Sequence, residues 1–140
     1  MRFHHVGLSV ADLDRSRRWY AEVLGFTAGF AFTIPSAGIR GCFMTGAGAD
    51  GTVVVRVELI ERAGSESAVP PGTAPDPNLA LLTRGYGHIA LATDELDADF
   101  ARLVAAGATA VWQPRTSPEP GVRMAFVADA DGNLIELVGA

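Results

Sequence analysis

The chain has 140 residues, 49% hydrophobic and 19% charged, a balance that fits a globular protein with its own core and excludes a disordered chain. Its net charge is -5 and all its basic residues are arginine, so there is no basic footprint for nucleic acid. A single cysteine, Cys42, excludes an internal disulfide, and no run approaches the roughly 20 apolar residues of a membrane span. The expectation is a cytoplasmic protein with neither nucleic-acid nor membrane partners.

The chain opens with RFHHVGLSV, where Val6, Leu8 and Val10 alternate with His5, Gly7 and Ser9, the period of a strand with two distinct faces. Asp12 is placed to cap a helix whose buried side is Leu13, Tyr20, Val23 and Leu24, and Gly25 stands where a left-handed C-cap residue is expected. Three strand-like runs follow, GFAFTI, IRGCFMTG and TVVVRVELIE, separated by the turn segments PSAG and GAGADG. RAGSESAVPPGTAPDPN then reads as a linker or lid, and LALLTRG as either a short helix or an extended approach.

From residue 88 the pattern is written again. HIALATDELDADFARLVAAGA sets beneath HVGLSVADLDRSRRWYAEVLGF at an offset of 83 residues: His, a β-branched residue, a small residue, Leu, then a helix that ends at Gly107. Asp94 takes the capping place, and Leu96, Phe100, Leu103 and Val104 form one apolar stripe. ATAVWQ, VRMAFVAD and NLIELV follow as strands, broken by PRTSPEPG and the turn DADGN. Each half therefore reads β-α-β-β-β. The fold class is α+β, with module 1 at about 1–62, a linker at about 63–84 and module 2 at about 85–140.

Parity sorts the polar residues. His5 and His88 point away from the face that the helix must cover. Val55, Val57 and Leu59 share one face of their strand, so Glu58 takes the other; Ile135 and Leu137 do the same and leave Glu136 opposite. Two curved mixed sheets side by side would then bring together two imidazoles and two carboxylates. That is a first shell for an octahedral divalent metal with two positions open. His4 has the wrong parity, with Gly87 at its equivalent place, and is expected to be structural. Glu61 lies on the face opposite Glu58 and is expected to end in solvent. Arg56 shares the face of Glu58, where it either binds an anionic substrate group or pairs with a carboxylate. Phe43, Trp112, Met124 and Phe126 either pack the core or line an apolar pocket.

With these residues on the page, the chain resembles the vicinal oxygen chelate superfamily of glyoxalases, bleomycin-resistance proteins and extradiol dioxygenases. HVGLSVADLDRSRRWYAEVLGF, YGHIAL and DADGNLIELV carry the likeness, the last having Ala130 where the family usually has Pro. The resemblance implies metal ligation by His5, Glu58, His88 and Glu136, with nickel, cobalt, manganese, zinc or iron as the ion. It also implies a homodimer acting on a small molecule. A carboxylate at Glu58 as fourth ligand is similar to glyoxalase I, which implies a lyase or isomerase moving a proton next to a carbonyl, with Glu58 and Glu136 as candidate bases. The stretch after Glu58, LIERAG, departs from the residues with which that enzyme holds glutathione, so the reaction class is implied and the thiol is not. An acyl-CoA epimerase, a ring-cleaving dioxygenase and a metal-free drug-binding protein are the alternatives within the same family.

Overall fold

Each helix of this chain has to cover one face of a sheet, and the alternation of its strands decides which face that is. The computed structural model describes residues 1–48, 50–67, 69, 73–82 and 84–139, which divide into two units, Met1–Ser67 and Ala68–Ala140.

The first unit runs β1 (Val6–Val10), α1 (Leu13–Glu22), β2 (Thr27–Ile34), a 3₁₀ turn (Pro35–Ala37), β3 (Ile39–Ala47) and β4 (Val53–Arg62). Its sheet has the order β1-β4-β3-β2, with β1 parallel to β4 and the other neighbours antiparallel. The helix carries the chain from β1 at one edge to β2 at the other. The second unit repeats this as β5 (Ile89–Ala92), α3 (Leu96–Ala105), β6 (Thr109–Thr116), β7 (Arg123–Ala128) and β8 (Leu134–Gly139), in the order β5-β8-β7-β6. The βαβββ reading of both halves therefore holds. Between them LALLTRG contributes to one helical turn, α2 (Pro77–Ala80), opened by the side chain of Asp76 on the Asn78 N–H at 2.8 Å.

Register explains the cores. Cys42 lies opposite Leu59 and Met44 opposite Val57, and all four are buried with Val10 beneath the helix residues Leu13, Trp19, Tyr20 and Val23. In the second unit Ala125 pairs with Leu137 and Val127 with Ile135, under Leu96, Phe100 and Leu103. Trp19 and Ser16 join the buried side of α1, while Leu24 is only half-buried.

Three local expectations are tested by the termini. Asp12 caps α1, its carboxylate accepting from the Arg15 N–H at 2.9 Å. Both expected C-cap glycines have positive φ, +72° at Gly25 and +113° at Gly107, the region where a side chain is strained. Asp94 does not cap α3. The helix begins one residue later, at an N-cap Glu95 with no side-chain cap hydrogen bond, and in the turn before it the Thr93 hydroxyl accepts from the Glu95 N–H at 3.0 Å while donating to the Asp99 carboxylate.

Glu61 is also corrected. It does not end in solvent: its carboxylate accepts the Leu13 N–H at 2.7 Å, tying the last strand to the first turn of α1, and Arg40 lies beside it. Helix N-terminal amides need such partners, and a carboxylate there also meets the positive end of the helix dipole. Among the described residues no helix is long and apolar enough to cross a membrane.

Candidate functional site

The face of each sheet away from its helix is where the sequence placed its chemistry. The strands proper start one residue after the histidines, so His5 and His88 lead into β1 and β5 rather than lying within them. In the parallel ladder Gly7 sits opposite Glu58, and Ala90 opposite Glu136. The small residue two places after each histidine shares its face and leaves the carboxylate room to reach back to the ring. His5 Nε2 comes to 3.4 Å from Glu58 Oε2, and His88 Nε2 to 3.1 Å from Glu136 Oε2. Each unit thus brings its own His and Glu together.

Both pairs share an aromatic neighbour that strand parity alone did not assign. Phe43 lies directly across from Glu58 and Phe126 across from Glu136, on the same face of their sheets. Each phenylalanine packs with its histidine at 5.2 Å between ring centroids, nearly perpendicular, a favoured aromatic geometry. The 83-residue offset between the phenylalanines is that of the histidines, so this signal was present in the repeat. Trp112 in turn packs edge-on against Phe126, and Arg115 lies over Trp112.

His4 has no equivalent in the second unit, yet it touches the pair. Its Nδ1 lies 2.6 Å from His5 Nδ1, and its Nε2 lies 3.0 Å from Arg56 Nη1. His4 thus bridges Arg56 and the His5 ring, on the side of that ring away from Glu58. His4 is therefore more than a strand-start residue: it orients the His5 ring.

A second repeated feature ties each helix to its sheet. Arg40 Nη2 donates to Asp14 at 2.9 Å, and Arg123 Nη2 donates to Asp97 at 3.1 Å, both residues of the second pair lying 83 positions after the first. The facing guanidinium holds both aspartate carboxyls below the usual carboxylate range.

The match to known proteins follows this geometry. Residues 2–137 match the Glyoxalase/Bleomycin resistance protein/Dioxygenase superfamily. The chain belongs to this superfamily. Within it, the chain is 31% identical over 137 residues to a lactoylglutathione lyase of Arabidopsis thaliana, covering 98% of this chain but 44% of the plant protein, so it spans less than half of that relative. It is 29% identical over 145 residues to a lactoylglutathione lyase of Haemophilus influenzae, covering 99% and 92%. Among solved structures, the trypanothione-dependent glyoxalase I of Leishmania major superposes with a TM-score of 0.67 at 28% identity, covering 99% of this chain and 86% of the other.

Imidazole and carboxylate are ordinary ligands of first-row divalent ions, and each unit offers one of each. A ring nitrogen and a carboxylate oxygen facing each other across little more than 3 Å suit a first-row divalent ion inserted between them. His5 is half-buried and His88 exposed, which leaves such an ion access. Among the described residues, neither unit by itself gathers three or more His, Cys, Asp or Glu groups, so one unit alone offers two donors.

Proposed function

We propose that this chain is a divalent-metal-dependent, glyoxalase-like lyase or isomerase that moves a proton next to the carbonyl of a small substrate. The observation that carries the reading is the duplicated pair: His5 with Glu58 and His88 with Glu136, each braced by an equivalent phenylalanine. A lone His–Glu contact on a sheet is commonplace. Two at equivalent positions of a repeat, on the face free of helix, mark one shared task. In this reading His5, Glu58, His88 and Glu136 together hold nickel, cobalt, manganese, zinc or iron, and the four donors come from one chain or from two copies in a homodimer.

A bound divalent cation supplies Lewis acidity, which polarises the substrate carbonyl and acidifies the neighbouring C–H. Glu58 or Glu136 takes that proton on a carboxylate oxygen and returns it to the adjacent carbon. His4 keeps the His5 ring in register. Four protein donors leave two positions of an octahedron, enough for a bidentate substrate and too few for substrate with dioxygen, which disfavours ring cleavage.

The test has two arms. Elemental analysis should find about one divalent ion per four-donor set, with chelator lowering the melting temperature. In deuterated water, the metal-loaded protein should place deuterium beside the carbonyl of a 2-oxoaldehyde thiohemiacetal or an α-acidic thioester, and Glu58→Gln or Glu136→Gln should abolish it. Absence of metal, with no melting shift on adding nickel, cobalt, manganese or zinc, would instead favour a metal-free binding protein. Oxygen uptake with a catechol by the Fe(II) form would favour a dioxygenase. Regained activity on mixing His5→Ala with Glu136→Ala subunits would place the donors on two chains.

A further inference from the structure

Arg56 is the cation that the proposed chemistry leaves unused. It shares the face of Glu58 on β4, two residues away, and lies over the ring of Phe43 at 4.1 Å to the centroid. Its Nη1 contacts His4, but among the described residues it has no carboxylate partner. Its Nε is buried and has no acceptor among the described residues. A buried donor without an acceptor costs free energy, and a guanidinium presents its remaining N–H groups as a fork matched to a carboxylate or phosphate. Arg40, by contrast, has Asp14 and Glu61, and Arg123 has Asp97. In the second unit the place of Arg56 is taken by Leu134, and the cation near Phe126 is instead Arg115, over Trp112.

The surface beside Arg56 is apolar. Phe43 is followed along the same face by Phe32 at 6.2 Å between centroids, and Phe30 stacks on Phe32 at 6.3 Å with planes 18° apart. Phe32 can lie there because Gly41, directly opposite, has no side chain: a Cβ at Gly41 would fall 2.3 Å from the Phe32 ring. Phe30 is 68% exposed, so the ladder runs from the Glu58 carboxylate out to solvent.

We propose that Arg56 is a specificity-determining residue, binding an anionic group of the substrate while the substrate's apolar or aromatic body lies along Phe43 and Phe32. The substrate class is then an organic anion with a hydrophobic body, its reacting carbon at His5 and Glu58. The placement of the reacting end rests on the proposed function above; anion recognition by Arg56 does not.

The test therefore uses chelator-treated protein, with 4-fluorophenylacetate and its neutral counterpart 4-fluorophenylacetamide as probes, followed by fluorine NMR titration. The wild type should bind the acid about tenfold more tightly than the amide. Arg56→Gln should bring the two to equal affinity with the amide unchanged, and Arg56→Lys should restore part of the preference because charge survives without the fork. An arginine that merely packs on Phe43 predicts equal loss for both probes in Arg56→Gln. That result, equal wild-type affinities, or failure of the wild type to bind either probe would overturn the proposal. Because the titration contains no metal, its outcome is independent of the metal-content and deuterium arms.

Discussion

The two units are built on one plan and differ most at the two ends of their last strands. In the first unit β4 carries Arg56 on its site face and places Glu61 on the Leu13 N–H, so a side chain of the sheet caps the helix. In the second, Leu134 and Gly139 occupy those places. Gly139 has no side chain to offer; its backbone instead approaches the Thr93 carbonyl so closely that a Cβ would lie 2.6 Å from that oxygen. There the strand–helix junction is held by Thr93 and Asp99, within its own segment. The comparison teaches that the fold constrains the helix-covered face and the His–Glu pair, and leaves the junctions free to find their own hydrogen bonds.

The strongest way to sharpen this is at the part that does not differ. Leu59 and Leu137 are equivalent, buried and under a helix, so Leu59→Ala and Leu137→Ala should each cost about 2–5 kcal/mol in chemical denaturation. A large inequality between them would show that the two cores are not energetically alike.

Both junctions should lose stability on substitution by alanine, for opposite reasons. Gly139→Ala forces a methyl against the Thr93 carbonyl and should cost roughly 1–3 kcal/mol, whereas Glu61→Ala strips the Leu13 amide of its acceptor and should cost about 1–2 kcal/mol. Glu61→Gln, which keeps an acceptor, should recover most of the second loss. If Gly139→Ala proved neutral in a melting experiment, the close approach would not constrain that strand.

The smallest effects are electrostatic and should differ between the units only in the acid range. Asp99 is held below the usual carboxylate range, first by the Thr93 hydroxyl and then by Arg102. A carboxyl depressed in the folded state adds stability that is present above its unfolded pKa, about 4, and is lost as pH falls through its folded value. Thr93→Val should therefore flatten the acid limb of the stability curve. Carbon-detected NMR titration should find Asp14 and Asp97 both titrating low, and Arg40→Gln and Arg123→Gln should each return only its own partner to the ordinary range. Melting temperatures should barely move, since exposed ion pairs contribute little.

Much of this was legible in the chain. The period of two in HVGLSV, HIALA and LIELV places His5, His88 and Glu136 on their faces, and the 83-residue offset announces paired βαβββ units before any packing is known. Strand parity is a local property, so sequence alone determined which side chains face away from the helix. What lay beyond it were contacts across sequence gaps that no periodicity spans: Glu61 reaching Leu13, Arg40 reaching Asp14, and Arg56 stacked on Phe43 with His4 at its tip. Asp94 was the cap expected from the sequence, and only the backbone path showed that α3 starts after Glu95, with the Thr93 hydroxyl bonding the Glu95 N–H in the turn before it. Tertiary structure decided these because a hydrogen bond depends on ångström-scale distance and direction, whereas a hydrophobic face depends only on the order of residues along a strand.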